Sequence, residues 1–356
     1  MTRVAALRLA WGCALLGTAM GAVGLWQQPS DFAAAWLAAL AAVLNWPLGS
    51  MALILVHALT GGRWGLLLRP VLLASLATLP LIALAALPYG LEAGVLYPWL
   101  HPGVTPAPNA FYLNAPFFAA RGILYLAAWF GVAALIIRAL RRAQPQAQLA
   151  RIAPAALIVL ALTATFAAID MTMSLDPHFA SSVYGLIAMI SMGLTALAAG
   201  VLALANGRSI DAGTLPILGR LLLGLVVLWG YLDFMQLLIL WQSNLVHDAH
   251  WYVLRSQGSW GTAAAIVTCC HLLLPVAILL WTPARRSLTC ISGAAGLLII
   301  AEVLRAWLLV LPPFRSQVHL TDIGAMLALL GLAAAIALHA AASSILDAAR
   351  RPLARV

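Results

Sequence analysis

Ten apolar runs, each of about twenty residues or more, follow one another along this chain and decide what it can become. One such run crosses the roughly 30 Å of bilayer hydrocarbon as a single helix. Only helices and closed barrels satisfy their backbone hydrogen bonds there. The runs lie near 5–25, 32–59, 68–87, 113–140, 151–170, 182–205, 216–243, 260–283, 287–311 and 320–342. Among 356 residues 64% are hydrophobic and 8% charged, whereas a soluble domain carries roughly a quarter charged residues. The expected fold is therefore all-α, a polytopic integral membrane protein of about ten transmembrane helices forming one transmembrane domain over 1–356. The first run also fits a signal peptide with Arg3 and Arg8 as its basic head. No small-x-small cleavage site follows it, which favours a retained helix.

The net charge of +9 comes from arginine alone, since the chain has no lysine. A basic balance signals nucleic acid only where it forms a patch on a soluble face, so no nucleic-acid partner is expected. Here the arginines mark orientation. With both termini inside, 15 of the 19 fall in inner loops or at their edges: Arg3, Arg8, Arg63, Arg69, Arg138, Arg141, Arg142, Arg151, Arg208, Arg220, Arg285, Arg286, Arg350, Arg351 and Arg355. Arg255 and Arg315 fall outside, and Arg121 and Arg305 lie within helices. The outer loops are longer and mix aromatic, histidine and acidic residues, as a docking or binding face would. Cys13, Cys269, Cys270 and Cys290 form no C-x-x-C unit, so zinc, iron–sulfur and covalent haem are unsupported and no metal site is expected.

A charged side chain in mid-membrane costs about 2.5–3.5 kcal/mol on insertion scales, so each one needs a reason. Asp233 sits about 15 Å below the outer end of the seventh helix, with Gln236 one turn further out. Arg121 lies in the outer half of the fourth helix, paired with Asp233 or Asp170. Glu302 and Arg305 are spaced i, i+3 in the outer half of the ninth and fit an ion pair. Asp170 closes the fifth helix, and His271 is near the middle of the eighth. The polar map is thus weighted toward the outer surface.

Three function classes use such a cluster. A b-type cytochrome needs paired axial ligands, and His57, His271 and His339 lie at different depths. A secondary transporter with a midplane carboxylate usually has broken helices in both halves; Asn45-Trp46-Pro47 interrupts the second helix, without a clear counterpart. The third class is a quinone-binding membrane subunit with an apolar cleft, a proton-accepting carboxylate or histidine, and an outer face for a redox partner. This chain has those features and no redox centre of its own.

Specific segments favour the third class. The stretch DMTMSLDPHFASSVYG at 170–185 is similar to the D-W-x-M-S-L-x-P-H-W-x-S-T-x-Y-G stretch of the membrane subunits of alternative complex III, within the NrfD/polysulfide-reductase membrane family. DFMQLLILWQSN at 233–244, followed by Trp251-Tyr252, resembles that family's F-x-Q-x-x-I-W-x-x-N segment. HALTGGRW at 57–64 with Arg69-Pro70, LYPW at 96–99 and YLNAPFFAAR at 112–121 complete an ordered set, closest to the smaller, F-type subunit. Met171 stands where the family has Trp, and His247-Asp248 where it has an acidic pair.

The resemblance implies two central four-helix bundles with a flanking helix at each end, in a bacterial inner (cytoplasmic) membrane. It implies a quinol:cytochrome c oxidoreductase complex whose partners are a paralogous membrane subunit, a periplasmic iron–sulfur subunit and c-type cytochromes, besides membrane lipid. No covalent cofactor is expected; the bound molecule would be a quinol, menaquinol or ubiquinol, near the outer surface. Asp170, Asp176 or His178 would take quinol protons there, and Asp233 would act as relay or gate. Arg121 would hold a neighbouring carboxylate or polarise a quinone carbonyl. Gln236, Glu302 and Arg305 would line the quinone region or form structural pairs.

The arginine bias predicts that a cysteine placed at Gly103 is labelled by an impermeant maleimide from outside, and one at Gln144 only from inside. The reverse pattern would overturn the topology.

Overall fold

Eight of the ten apolar runs become single helices, and two are interrupted. The computed structural model describes residues 2–101, 109–205, 213–243 and 246–341, without the side chains of 246–248. Gly103, Arg208, Asn244, Arg350, Arg351 and Arg355, and the side chains of His247 and Asp248, lie outside that set. The helices are α1 (Arg3–Gln27), α2 (Phe32–Thr60), α3 (Arg63–Leu76), α4 (Leu79–Leu91), α5 (Ala93–Leu96), α6 (Ala115–Leu140) and α7 (Pro145–Met171). They continue as α8 (Tyr184–Ala205), α9 (Leu215–Ser243), α10 (Val246–Ser256), α11 (Gly258–Val267), α12 (Leu274–Leu280), α13 (Leu288–Val310) and α14 (Leu320–Ala340). Among the described residues nine helical segments are long and apolar enough to cross a membrane, and α3 with α4, bent by 41°, makes a tenth. The chain is an all-α, multi-pass membrane protein.

Two interruptions have covalent causes. The run expected at 68–87 is two helices: Pro80 cannot donate to the carbonyl one turn earlier. Just before the bend, the Ser75 and Thr78 hydroxyls donate to the carbonyls of Leu72 and Ser75, at 2.8 and 2.7 Å. Between α11 and α12, Thr268–Leu273 widens into a π-helical turn just before Pro275, which has no N–H for the carbonyl of His271. Pro47, by contrast, does not interrupt its helix: α2 runs unbroken from Phe32 to Thr60. That corrects the expected break at Asn45-Trp46-Pro47.

The helices form two bundles side by side. In the first, α2 packs on α3, α4 and α7, and α6 packs on α7. In the second, α8 packs on α9 and α13, and α13 on α11 and α12. The joint is α2 against α8 and α13, with α7 against α8. It is close because Gly49 has no side chain: a Cβ there would fall 1.8 Å from the carbonyl oxygen of Met192 on α8.

The flanking helices α1 and α14 pair with each other, and α14 packs on α2 and α3. Small residues again allow the approach, as is usual between helices in lipid. A Cβ on Gly17 would lie 2.3 Å from the backbone nitrogen of Ala328, and one on Gly324 2.3 Å from that of Gly21. Ions close this pair at one end. Arg315 Nη1 is 2.7 Å from Asp31 Oδ1 and its Nη2 is 2.6 Å from Asp322 Oδ1, while His319 Nδ1 meets Asp31 Oδ2 at 2.5 Å. At the opposite, basic end Arg3 donates to the carbonyl of Leu338 at 3.0 Å.

The turn from α2 to α3 also needs glycine. Gly61 and Gly62 have φ of 71° and 98°, and His57 Nε2 meets the Gly62 carbonyl at 2.8 Å. Replacing Gly49 with Leu is expected to separate the bundles, and replacing Gly324 with Leu to release α1. Thermal unfolding of the purified chain checks both. The expected losses are about 1–3 kcal/mol or more for each overpacked joint, with Gly224→Leu, whose Cβ position faces open space, as the control near zero.

Candidate functional site

Two buried ionic clusters occupy the interior, one in each bundle. In both, the third spanning helix faces the fourth.

In the first bundle Asn114 caps α6 by accepting from the backbone N–H of Phe117 at 3.0 Å, which sets the register of Arg121 two turns along. Arg121 reaches Asp170 in a two-pronged contact: Nε to Oδ2 at 2.8 Å and Nη2 to Oδ1 at 2.9 Å. Tyr125, one turn deeper, donates to Oδ2 at 2.6 Å. The third arm of Arg121 donates to the Tyr112 carbonyl at 2.8 Å. Its guanidinium lies 3.8 Å above the Tyr112 ring and 4.4 Å from that of Phe117. Arg121 and Asp170 are buried. The sequence left the partner of Arg121 open between Asp233 and Asp170, and it is Asp170.

Asp170 and Tyr125 face a cavity of about 850 Å³ between α4 and α6, within the size range of small-molecule pockets. Its walls are apolar apart from Asp170, Tyr89, Tyr125 and Trp129. Tyr89 is fixed by a 2.7 Å bond to the Tyr97 hydroxyl, and Tyr97 donates to the carbonyl of Met171 at 2.9 Å. Burial pushes the Tyr97 and Tyr112 phenols well up, so both stay protonated.

In the second bundle His271, on the π-helical turn, meets Glu302 on α13 at 2.8 Å. Arg305 approaches the other oxygen of Glu302 at 3.6 Å. The expected pair of Glu302 with Arg305 is therefore real, but the shorter contact is with histidine. The Trp229 ring lies 3.9 Å from that of His271, and Arg305 sits 5.7 Å from the Trp229 ring. His271 Nδ1 and Trp229 Nε1 are sealed without a hydrogen-bond partner among the described residues. Glu302 and Arg305 also border a cavity of about 50 Å³ at the bundle joint, with Asn45, Thr172 and Tyr184. That is room for water among polar groups.

The remaining candidates lie apart from both clusters. Asp233 on α9 makes no hydrogen bond or ion pair among the described residues, although it stands in the field of Arg305, His271 and Glu302. Gln236 accepts from Ser181 at 2.5 Å and donates to the Tyr252 hydroxyl at 2.9 Å, tying α9 to the 170–185 loop and to α10. Asp176 accepts from the backbone N–H of His178 at 3.1 Å and faces His250 Nδ1 at 3.4 Å, and His178 is exposed.

This end of the molecule is covered by α10, whose Trp251 stacks on Phe179 at 4.4 Å. Arg255 fastens α10 by donating to the carbonyls of Leu308 and Leu309, at 2.9 and 2.7 Å. Burial lowers Arg255 to about 10, so it is a cation at neutral pH.

His271 and Tyr125 are the participants that residue-by-residue reading does not place in these clusters. Their partners lie 31 and 45 residues away, on neighbouring helices. No protein-family model matches the chain, and no curated protein sequence matches it.

Asp170→Asn leaves Arg121 buried without a counter-charge, and is expected to cost about 3–5 kcal/mol. Removing both charges, as in Arg121→Met with Asp170→Leu, is expected to restore most of that loss. Unfolding of the purified variants measures it, and equal losses in single and double variants would show that the pair is not the source.

Proposed function

We propose that this chain is a membrane subunit of a respiratory quinol:cytochrome c oxidoreductase of the NrfD/polysulfide-reductase type. It sits in the bacterial inner membrane with its loop-rich end outside. The observation that carries this reading is Asp170, a buried carboxylate on the wall of the large apolar cavity between α4 and α6. Such a cavity takes a flat, hydrophobic head group from the side, and the carboxylate and tyrosines give it polar contacts.

Oxidation of a quinol releases two protons and two electrons. Asp170 Oδ1 takes a single bond from Arg121 and keeps acceptor capacity for a quinol hydroxyl. Arg121 and Tyr125 hold the carboxylate in place. Asp176 and His178, six and eight residues further on in the surface loop, take protons toward water. The electrons pass to the iron–sulfur and c-type haem centres of partner subunits. The face formed by the 170–185 loop and α10 is where those partners would dock, beside a paralogous membrane subunit. Asp233 and the His271–Glu302–Arg305 cluster lie in the other bundle and serve proton transfer or the bundle's own stability.

A transporter would be expected to break corresponding helices in both halves. The bent α3–α4 span is the second of its bundle, and the matching second helix, α9, is continuous from Leu215 to Ser243. The geometry therefore favours the quinol reading.

Gly122 on α6 lines the cavity, and a Cβ there meets nothing within 4 Å. Gly122→Leu should fill the cavity without disturbing the fold. In the purified complex it is expected to lower quinol oxidation about tenfold or more, and to abolish labelling of α6 by a photoreactive quinone. Unchanged turnover and labelling would move the quinol to the paralogous subunit and leave this chain as its scaffold.

A further inference from the structure

The polar side chains on the wall of the α4–α6 cavity are Tyr89, Tyr125, Trp129 and Asp170. Where their protons point follows from their partners. Trp129 Nε1 donates to the Thr163 hydroxyl at 3.1 Å, and Tyr125 donates to Asp170 Oδ2 at 2.6 Å. Asp170 only receives: besides Tyr125, it accepts from Nε and Nη2 of Arg121.

The Tyr89 proton is fixed from two steps away. The main-chain carbonyl of Met171 has no proton, so Tyr97 must donate in their 2.9 Å contact. A phenol has one proton. In the 2.7 Å contact between the two tyrosines, Tyr89 is therefore the donor and Tyr97 the acceptor.

Each wall side chain that carries a proton thus directs it into the protein. What these side chains still offer the cavity is lone pairs, on Asp170 Oδ1 and on the Tyr89 and Tyr125 phenol oxygens. Arg121 is not on the wall, and neither is Tyr112, whose buried hydroxyl has no hydrogen-bond partner among the described residues. A hydroquinone brings two O–H donors to such a wall. The matching quinone brings two carbonyl oxygens, which only accept, and set against these lone pairs they stay unbonded.

We propose that the α4–α6 cavity discriminates by redox state, holding the hydroquinone and releasing the quinone. Tyr97, which is not on the wall, is the positioning residue, because it takes the Tyr89 proton. The inference rests on the quinol reading of this cavity and adds which form the wall selects. Oxidation removes both hydroxyl protons, and two electrons pass to the redox centres of partner subunits. The quinone left behind has nothing to donate, so the wall that holds the substrate lets the product go.

The test measures binding of tritiated menadiol and of menadione to the full-length chain in phosphatidylcholine nanodiscs, kept anaerobic. Specific binding is the part that Gly122→Leu removes. Menadiol is expected to bind about tenfold or more tighter than menadione. Tyr97→Phe returns the Tyr89 proton to the cavity, and is expected to tighten menadione binding about fivefold with little change for menadiol. Tyr89→Phe removes an acceptor instead, and is expected to weaken menadiol about fivefold and leave menadione unchanged; it carries the test if Tyr97→Phe does not fold. Equal specific binding of the two forms, or a preference that neither tyrosine variant alters, would overturn the proposal and leave the quinol reading standing. Specific binding of neither form would overturn the quinol reading, and the preference with it.

Discussion

The contact of α2 with α8 at Gly49 and the carbonyl of Met192 sets the distance between the two halves of this protein. Lipid offers no hydrophobic gain for helices that associate within it, so close packing must supply the attraction. Close packing requires that side chains be absent where backbones meet. Gly49 meets that requirement at the joint, and Ser50, Ala196 and Ala198 beside it are fully buried. Because α2 also touches α3, α4, α7, α13 and α14, a shift at this point would be transmitted to almost every other span. The cavities on either side of α2 are what remains once this joint is fixed.

The two ionic clusters follow the same plan with different chemistry. Each joins the third and fourth spans of its bundle, Arg121 to Asp170 in one and His271 to Glu302 in the other. The Arg121 cluster is a two-pronged arginine–carboxylate contact at the loop-rich end, with every guanidinium arm engaged. The His271 cluster is deeper and joins an imidazole to a carboxylate beside Arg305 and an indole face. Equivalent positions therefore carry an arginine–carboxylate pair in one bundle and a histidine–carboxylate pair in the other. The first borders a cavity large enough for an organic molecule, and the second a space large enough for water.

Much of the fold was legible in the sequence because lipid imposes one rule on every span, namely length and continuity of apolar residues. The arginine-rich short loops marked one end of the bundle for the same reason. What depended on position within a run was harder to read. Pro47 and Pro80 both sit in apolar runs, yet α2 continues through the first and the third span bends at the second. The bent span also has hydroxyls, Ser75 and Thr78, that bond its own carbonyls just before the bend. The 244–260 segment read as a loop, but its aromatic and cationic side chains fasten α10 across the surface. The pairing of Arg121 with Asp170 was among the readings open from sequence, whereas the His271 contact to Glu302 depends on the facing of two neighbouring helices, one of them widened by a π-helical turn.

The glycine contacts between α1 and α14 also order events during synthesis. Gly17 and Gly324 are separated by 307 positions in the chain. At 5–20 residues per second, that gap corresponds to roughly 15–60 s of translation. Through that interval the bare glycine stripe of α1 has no mate from its own chain, and the helix must wait in the bilayer or lean on the insertion machinery. Only when α14 arrives can the clasp shut, so this contact closes after every helix between the two has been made.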